Sequence, residues 1–245
     1  MGKVISKLRR LLRRVGVDVV RYPASDQLWE SWASKINSQA SANVIFDVGA
    51  NRGQTIKWFR PLFPSATIYA FEPLSSAFQD LQQLAERDKK IFPHEFALGD
   101  KKGVATLYEN SVDTTNSLLP NSERIAEFAP PHMVVPTGQV EVDVRRLDEF
   151  CSEQSIHVVD VLKVDAQGYE RKILEGAGDM LQPSRIRAVY LELMFTPFYE
   201  GQCWGGELIE LMRNRGYRLY GLTGVSFEKN EGWRWSDAMF VGNEA

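Results

Sequence analysis

Short runs rich in β-branched and aromatic residues alternate with amphipathic stretches from residue 43 onward, and this alternation constrains the fold more than any other feature. Repeated βα units place strands side by side in a mostly parallel sheet, with helices on both of its faces. The predicted strands are residues 44–48, 67–71, 92–98, 159–164, 186–193, 217–222 and 238–241. The predicted helices are residues 54–63, 75–87, 169–181 and 205–215.

One large domain is expected, since the 245 residues are 44% hydrophobic and 25% charged, which is ordinary for a globular protein. We assign residues 41–245 to this domain and residues 1–40 to an N-terminal helical extension. The domain contains an insert, residues 103–144, with two predicted strands near residues 105–108 and 140–144. The Pro- and Ser-containing stretch between them is too irregular for a buried element, which predicts a lid or a disordered loop.

The N-terminal extension is basic and the rest of the chain is acidic. Residues 1–22 carry seven Lys and Arg against one Asp, a net +6, so the remaining residues carry −9 of the chain total of −3. An acidic body argues against nucleic acid as a partner of the main domain. Within residues 3–15, apolar side chains recur at helical spacing, which predicts an amphipathic helix. This helix would dock on an anionic membrane surface or an acidic partner, or would pack on its own domain.

Nothing in the sequence indicates export or membrane insertion. No run of eighteen or more uncharged apolar residues occurs, and no apolar core with a cleavage site follows the N-terminus. Cys151 and Cys203 are far apart, with no histidine at metal-ligand spacing, which argues against a disulfide framework and a zinc site. We expect a cytoplasmic protein, peripheral to the inner face of the membrane if residues 3–15 dock there.

A strand, a glycine turn and a helix follow one another over residues 44–55, and this is the most informative motif. Gly49 lets the backbone turn sharply and approach a ligand, and Gly53 lets the start of the helix pass close by. Nineteen residues after Gly53, Glu72 stands at the carboxyl end of the next strand, where ligands of open α/β sheets bind. There Glu72 can accept two hydrogen bonds from a ribose diol. The motif therefore predicts a ligand that contains adenosine.

The turn sequence separates two kinds of adenosine ligand. A dinucleotide site has G-x-G-x-x-G, which holds a pyrophosphate on the helix N-terminus. Here the pattern is Asp-x-Gly-x-x-x-Gly, formed by Asp47, Gly49 and Gly53. A carboxylate at this place repels a pyrophosphate and suits a ligand that carries an amino group and a sulfonium. An NAD-dependent reductase is therefore disfavoured.

Five segments together resemble the FkbM family of methyltransferases, over roughly residues 40–243. They are Asp47-Val48-Gly49-Ala50-Asn51-x-Gly53, Phe71-Glu72-Pro73, Ala97-Leu98-Gly99-Asp100, and residues 162–170 and 236–241. The resemblance implies S-adenosylmethionine as cofactor and the Rossmann-like α/β fold of class I methyltransferases. That fold is a seven-stranded, mostly parallel sheet with an antiparallel last strand and helices on both faces. One departure occurs at residues 166–168, Ala-Gln-Gly, where many such sequences have Val-Glu-Gly.

The resemblance also implies which residues bind the cofactor. The methionine end would be lined by Asp47, Gly49, Asn51 and Gly53. The ribose would be held by Glu72, which is followed by Pro73. The adenine would contact Ala97 and Leu98, at the end of the third strand.

Two carboxylates are candidates for catalysis. An alcohol acceptor must lose its proton during or after attack on the methyl group, so a nearby base helps. Asp165, at the end of the fourth strand, is the first candidate, and Glu192 is the second. Alternatively, Asp165 caps the following helix or pairs with Lys163, and Glu192 forms a salt bridge across the sheet. A divalent cation held by Asp165, Glu192 and Asp237 is a further alternative. The site that we predict contains no metal.

The resemblance implies methylation of a hydroxyl oxygen on a sugar, glycan or natural-product-like small molecule, while N-methylation stays open. The alternative is a non-catalytic scaffold that binds an adenosyl ligand and is recruited through the basic N-terminal helix. Three aromatic residues near the C-terminal hairpin, Trp204, Trp233 and Trp235, either stack on the acceptor or pack the hairpin. His132, in the insert, either reaches the site as a base or is solvated.

Overall fold

The computed structural model describes residues 25–39, 42–228 and 232–243. The strands of this part are β1 (Val44–Val48), β2 (Thr67–Phe71), β3 (Ile91–His94), β4 (Ala97–Leu98), β5 (Gly103–Asn110), β6 (Pro136–Arg145), β7 (Val159–Val164), β8 (Ile186–Met194), β9 (Tyr217–Glu228) and β10 (Gly232–Gly242). The α-helices are α1 (Ser25–Gln39), α2 (Gln54–Leu62), α3 (Ser75–Arg87), α4 (Ile125–Phe128), α5 (Leu147–Glu153), α6 (Glu170–Gly176) and α7 (Gly205–Asn214). The amphipathic helix predicted within residues 3–15, with its membrane or partner contact, lies outside the described residues.

Seven strands form one sheet in the order β3-β2-β1-β7-β8-β10-β9. All pairings from β3 to β8 are parallel, and β10 is antiparallel to both β8 and β9. The predicted fold, a mostly parallel seven-stranded sheet with an antiparallel last strand, is confirmed. The strand order reverses between β1 and β7, and a crevice opens at the carboxyl ends of strands at such a switch point.

The sheet is buried on both faces because its strands point apolar side chains alternately to each side. Val161 and Ala188 pack in a core with side chains of α1, α2 and α3. Their neighbours Leu162 and Val189 pack in a second core with side chains of α5, α6 and α7. The position of a residue along its strand therefore decides which of the two helix layers it faces.

Helix α1 is part of the first core. Its Trp32 is fully buried, and the ring of Trp29 lies 4.7 Å from the ring of Tyr190, between centroids. Residues 25–39 are thus built into the main domain, although the sequence analysis placed residues 1–40 in an extension. Among the described residues, no helix is long and apolar enough to span a membrane.

The predicted third strand, residues 92–98, is divided in the structure. β3 ends at His94, which pairs with Phe71, the last residue of β2. Since the main sheet offers no partner beyond Phe71, Ala97 and Leu98 pair with β6 instead. The expectation that Ala97 and Leu98 end the third strand of the main sheet is therefore wrong. They belong to a separate three-stranded sheet, β4-β6-β5.

The insert is ordered around a small apolar core of its own. β5 and β6 form an antiparallel hairpin that is longer than predicted. Between them, α4 buries Ile125 and Phe128, which pack with Met194, Phe198 and Tyr199. The expectation that this stretch is too irregular for a buried element was wrong, because the partners of its apolar side chains come from about 70 residues further along the chain.

We expect Gly176→Ala to destabilise the fold. A Cβ at Gly176, the last residue of α6, would lie 1.9 Å from the carbonyl oxygen of Gly99, a backbone atom that cannot move aside alone. Such overpacking costs roughly 1–3 kcal/mol, which lowers Tm by several degrees in thermal unfolding. Gly206→Ala is the matched control, since it is also helical and its Cβ would meet no atom within 4 Å. Equal Tm values for the two variants would contradict the tight contact between α6 and Gly99.

Candidate active site

Four charged side chains lie on one face of the sheet near its carboxyl edge. Val161, Tyr190 and Met239 pack in the core beneath α1 and α2. Alternate residues of a strand share a face, so the residues two positions nearer the carboxyl edge face the same way. These residues are Lys163, Glu192 and Asp237, and Asp47 has the same relation to Ile45. The sequence thus brings acids from β1, β8 and β10 toward one lysine of β7.

The glycine turn after β1 fastens three strands together. The backbone N–H groups of Gly49 and Ala50 both donate to the carbonyl oxygen of Phe71, at 3.1 Å. Gly49 has a φ of +70°, and a Cβ there would lie 1.9 Å from the backbone oxygen of Asp165. Gly53, with a φ of +79°, packs against the side chain of Leu84 in α3. Gly49 is therefore required by close packing against a backbone atom, whereas Gly53 is required by its left-handed conformation and lies below the turn.

Glu72 is fixed by two backbone donors. Its Oε2 accepts the N–H of Asn51 at 2.9 Å, and its Oε1 accepts the N–H of Leu74 at 2.9 Å. The carboxylate is only 7% exposed, and this burial raises its pKa although the two N–H donors lower it. Each oxygen has two lone pairs, so the carboxylate can still accept hydrogen bonds from a ligand.

A cleft of about 220 Å³ opens over these residues, and we call it the turn cleft. Of the predicted cofactor-binding residues, its lining contains Gly49, Asn51, Glu72, Pro73, Ala97 and Leu98. The lining combines polar residues, among them Asp165 and Gln167, with apolar side chains such as Leu98 and Ile173. A buried carboxylate in a wall of mixed polar and apolar residues fits an adenosyl ligand with an amino-acid tail. The residues present therefore fit S-adenosylmethionine.

Asp47 does not line the turn cleft, because it is fully buried beneath the turn. The ammonium of Lys163 lies 3.0 Å from Asp47 Oδ1 and 3.7 Å from Asp165 Oδ2. It also donates to the carbonyl oxygens of Gly49, at 2.7 Å, and Val48, at 3.2 Å. Burial lowers the pKa of Lys163, but the nearby carboxylates raise it by more. Asp47 thus acts on the turn through a buried ammonium.

Gln167 joins the two predicted catalytic acids. Its Nε2 donates to Asp165 Oδ1 at 2.9 Å and to Glu192 Oε2 at 2.8 Å. The Tyr199 hydroxyl lies 2.9 Å from Gln167 Oε1, and the Ser117 hydroxyl donates to the Gln167 carbonyl oxygen at 2.6 Å. These bonds hold Gln167 at a φ of +52°, a left-handed conformation that costs a non-glycine residue roughly 1–2 kcal/mol. Asp165 and Glu192 are therefore set side by side.

A second cavity, of about 410 Å³, lies beneath the insert, and we call it the insert chamber. It shares Thr114, Asp165 and Gln167 with the turn cleft and is lined on one side by Glu192. Its other walls are mostly apolar, formed by Ala129, Pro130, Met133, Val134, Met194, Phe198 and Trp235, and they also contain Thr115, Tyr199 and Arg234. Of the three tryptophans near the C-terminal hairpin, Trp235 thus reaches the chamber, whereas Trp233 packs on the ring of Phe195. The two cavities meet at Asp165.

Three acids in and behind the walls of the site, Glu192, Asp237 and Glu170, have raised pKa values. Burial raises the pKa of Glu192 well above its ordinary value, and the carboxylates of Asp165, Glu170 and Asp237 raise it further. Burial also raises the pKa of Asp237 and of Glu170, each to about 7. Groups that titrate near neutral pH are suited to proton transfer.

No metal site is evident in the part of the chain that the structure describes. That part contains no group of three or more His, Cys, Asp and Glu side chains placed to hold a metal ion. Asp165 and Glu192, two acids of the metal alternative, both accept hydrogen bonds from Gln167.

Two residues of the site were underrated by sequence reasoning. The sequence identifies Lys163 only as an alternative partner of Asp165. In the structure it contacts residues of β1 as well as Asp165 after β7. A charged residue inside a run of apolar strand residues is the signal that marks it. Gln167 was noted only as a departure from Val-Glu-Gly, and its bridge depends on Glu192, 25 residues away.

The sequence of this chain matches known methyltransferases. A family model described as the methyltransferase FkbM domain matches residues 47–219. The 2-O-methyltransferase NoeI of Sinorhizobium fredii is 27% identical over 166 residues, which are 65% of this chain and 66% of that protein. The 31-O-demethyl-FK506 methyltransferase FkbM of Streptomyces tacrolimicus is 29% identical over 196 residues, covering 72% of this chain and 73% of that protein.

Among solved structures, a methyltransferase FkbM from Methylobacillus flagellatus KT matches with a TM-score of 0.49 and 14% identity. The match covers 81% of this chain and 44% of that chain. The chain thus spans about two thirds of the length of NoeI and less than half of this solved chain.

We expect Glu170→Gln to change how stability depends on pH. Glu170 is buried and accepts the N–H groups of Ala166, at 2.9 Å, and Gly168, at 3.2 Å. Its pKa is about 7 in the folded chain against 4.5 for the free side chain, so the folded state binds the extra proton between these values. The stability from this group is present below pH 4.5 and is lost as the pH rises through 7.

In urea unfolding, Glu170→Gln should therefore gain stability relative to wild type on going from pH 5 to pH 8. The relative gain should be on the order of 2 kcal/mol. Glu86→Gln, an exposed change in α3, is the control and should show no such difference. An unchanged difference between Glu170→Gln and wild type at the two pH values would contradict the raised pKa.

Proposed function

The chain belongs to the FkbM methyltransferase family, and we propose that it is an S-adenosylmethionine-dependent methyltransferase that acts on a hydroxyl oxygen. The acceptor is a sugar, a glycan or a natural-product-like small molecule. One observation carries this proposal: the turn cleft, with Glu72 in its wall, and the insert chamber share Asp165 and Gln167 in their walls. A donor in the first cavity and an acceptor in the second would meet beside two carboxylates.

The cofactor is S-adenosylmethionine, and the turn cleft holds it. Glu72 accepts the ribose hydroxyls with the lone pairs that Asn51 and Leu74 leave free. The adenine lies against the apolar wall at Ala97 and Leu98, and the methionine end lies at Gly49 and Asn51. Asp47 and Gly53 act indirectly, by holding the turn from below.

Oxygen as the acceptor atom is supported by two relatives and by the chamber. NoeI and the Streptomyces enzyme are both named for O-methylation. The chamber presents carboxylates on one side and apolar side chains on the other, which suits a hydroxyl group on a partly apolar frame. The carboxylates can accept the hydrogen of that hydroxyl.

Catalysis needs alignment and one proton acceptor. The bound cofactor supplies a methyl group on a sulfonium, which is open to in-line attack. Asp165, at the junction of the cavities, accepts a hydrogen bond from a second hydroxyl of the acceptor, which orients the reacting oxygen toward the turn cleft. Glu192 accepts the hydrogen bond of the reacting hydroxyl and takes its proton, because its raised pKa makes its carboxylate the stronger base. Gln167 holds the two acids side by side by donating a hydrogen bond to each of them.

The cofactor site is tested by Glu72→Gln. The amide places N–H hydrogens against a backbone donor, that of Asn51 or Leu74, and removes the charge. Isothermal titration calorimetry with S-adenosylmethionine and S-adenosylhomocysteine should show affinity at least tenfold lower than wild type. Glu86→Gln is the matched control and should bind like wild type, and the Tm of each variant monitors folding. If Glu72→Gln binds both ligands with wild-type affinity, the result would contradict the assignment of Glu72 to the cofactor site.

The catalytic assignment is tested by Glu192→Gln and Asp165→Asn. Transfer of a labelled methyl group from S-adenosylmethionine is measured on a panel of saccharides and polyol natural products. With the best acceptor, the wild-type rate should rise with pH as Glu192 loses its proton. Glu192→Gln should lower kcat by about 10²-fold or more and flatten that rise. Asp165→Asn should lower kcat while the cofactor affinity stays within a few-fold of wild type.

The exposed substitution Glu200→Gln is the control for these two variants. An unchanged pH profile in Glu192→Gln would contradict its role as the proton acceptor. Cofactor binding without methyl transfer to any member of the panel would favour the non-catalytic scaffold.

A further inference from the structure

A third cavity, of about 500 Å³, lies between α1, α2 and the carboxyl edge of the sheet. Its wall is formed by Trp29 and Trp58, with Tyr190, Thr223 and Asp237 on the side of the sheet, and we call it the tryptophan cleft. Glu30 and Lys57 complete the rim. The residues proposed for cofactor binding and catalysis do not line it, so it needs an explanation of its own.

The aromatic side chains form a fixed wall with one free face. Trp29 is buried and packs on Tyr190 at 4.7 Å, on Trp32 at 5.6 Å and on Phe59 at 5.6 Å, between ring centroids. Trp58 makes a T-shaped contact with Trp29, with 6.4 Å between ring centroids, and is 63% exposed. An indole that is anchored by one ring contact and mostly exposed is suited to stack on a ligand, and its burial there would remove a large apolar area from water.

The sheet side of the cleft is polar. Asp237 and Thr223 lie there together with Tyr190. A carboxylate at this depth disfavours an acyl chain, which cannot hydrogen-bond it, and repels a phosphate. Aromatic faces combined with a carboxylate and a hydroxyl fit a ligand with alternating C–H and O–H groups. A sugar ring has this chemistry.

The tryptophan cleft and the insert chamber share one wall. Asp237 of β10 pairs directly with Glu192 of β8 in antiparallel register. Directly opposed residues have Cβ atoms about 4.5–5.5 Å apart and point to the same face. Asp237 faces the tryptophan cleft and Glu192 faces the insert chamber. Glu192, at the centre proposed for methyl transfer, is therefore separated from the tryptophan cleft only by its pairing partner Asp237.

We propose that the tryptophan cleft is an outer subsite that binds a second sugar residue of a saccharide acceptor, stacked on Trp58 and hydrogen-bonded to Asp237. This inference rests on the proposed function and names its substrate class. The sugar that is methylated occupies the insert chamber at Asp165 and Glu192. The next residue of the chain crosses the Glu192–Asp237 pair and leaves between α1 and α2. The acceptor is accordingly an oligosaccharide rather than a free monosaccharide.

The test compares wild type, Trp58→Ala, Trp58→Phe and Trp204→Ala on a printed glycan array with S-adenosylhomocysteine present. Trp204 is also exposed, at 45%, and lines none of the three cavities described, so Trp204→Ala is the matched control. Wild type and Trp204→Ala should retain glycans of two or more residues. Trp58→Ala should retain them at least tenfold less, since loss of an aromatic stack of this kind costs about 1.4 kcal/mol or more, which is a tenfold change. Trp58→Phe should recover part of the binding.

Calorimetry with S-adenosylhomocysteine on the same four proteins separates this inference from the proposed function. Equal affinities for all four are expected, since Trp58 lies outside the turn cleft. Failure of every protein to bind the ligand would count against the proposed function itself. With the ligand bound, three results would each overturn the outer subsite: retention of no glycan, equal retention by wild type and Trp58→Ala, or equal retention of mono- and oligosaccharides. A large loss of Tm in Trp58→Ala with unchanged glycan retention would also overturn it, by indicating that another segment of this chain covers the cleft.

Discussion

The buried ammonium of Lys163 is the interaction on which the rest of the site depends. It contacts Asp47 on β1, two carbonyl oxygens of the turn that follows β1, and Asp165 after β7. Placing an ammonium and a carboxylate in a protein interior costs several kcal/mol of desolvation each, which only close contacts of this kind offset. Removing one partner of such a pair typically costs about 3–5 kcal/mol, because the other charge is left unpaired. The pair therefore contributes more to the precision of the turn than to net stability.

Because one ammonium holds the ends of both β1 and β7, the turn cleft and the insert chamber keep a fixed relation. Gly49 adds to this, since only a residue without a Cβ can pass the Asp165 carbonyl oxygen so closely. In-line transfer depends on such alignment, and well-oriented reactants reach effective molarities of roughly 10⁵–10⁸ M. In the proposed function, the carboxylates near the turn would favour a cationic donor over the neutral product that remains after transfer.

The sequence predicted the frame of this arrangement because the frame follows local rules. The bounds of β1, β2, β7 and α3 agree with the apolar periodicity and with the turn residues that flank them. The parts that were missed depend on contacts between distant residues. Ala97 and Leu98 lie outside the main sheet because β2 ends at Phe71 and offers them no partner. Helix α4 is ordered because Phe198 and Tyr199 pack against it. The partners of Lys163 and Gln167 lie on other strands, so neither periodicity nor motif spacing could assign their roles.

The insert is held over the site by its buried contacts rather than by its surface charges. Arg52 links the turn to the insert through Asp113 at 2.8 Å, but its side chain is 44% exposed, and exposed ion pairs contribute about 0–1 kcal/mol. The Ser117 hydroxyl bonds the Gln167 carbonyl oxygen, and the Tyr199 hydroxyl lies 2.9 Å from the Thr115 carbonyl oxygen. The first contact ties the insert to the loop that presents Asp165, and the second ties it to the loop that follows β8. A movement of the insert would therefore release Gln167 from its left-handed conformation, and with it the pairing of the two acids. The roof of the chamber and the arrangement of Asp165 and Glu192 beneath it are thus parts of one structural unit.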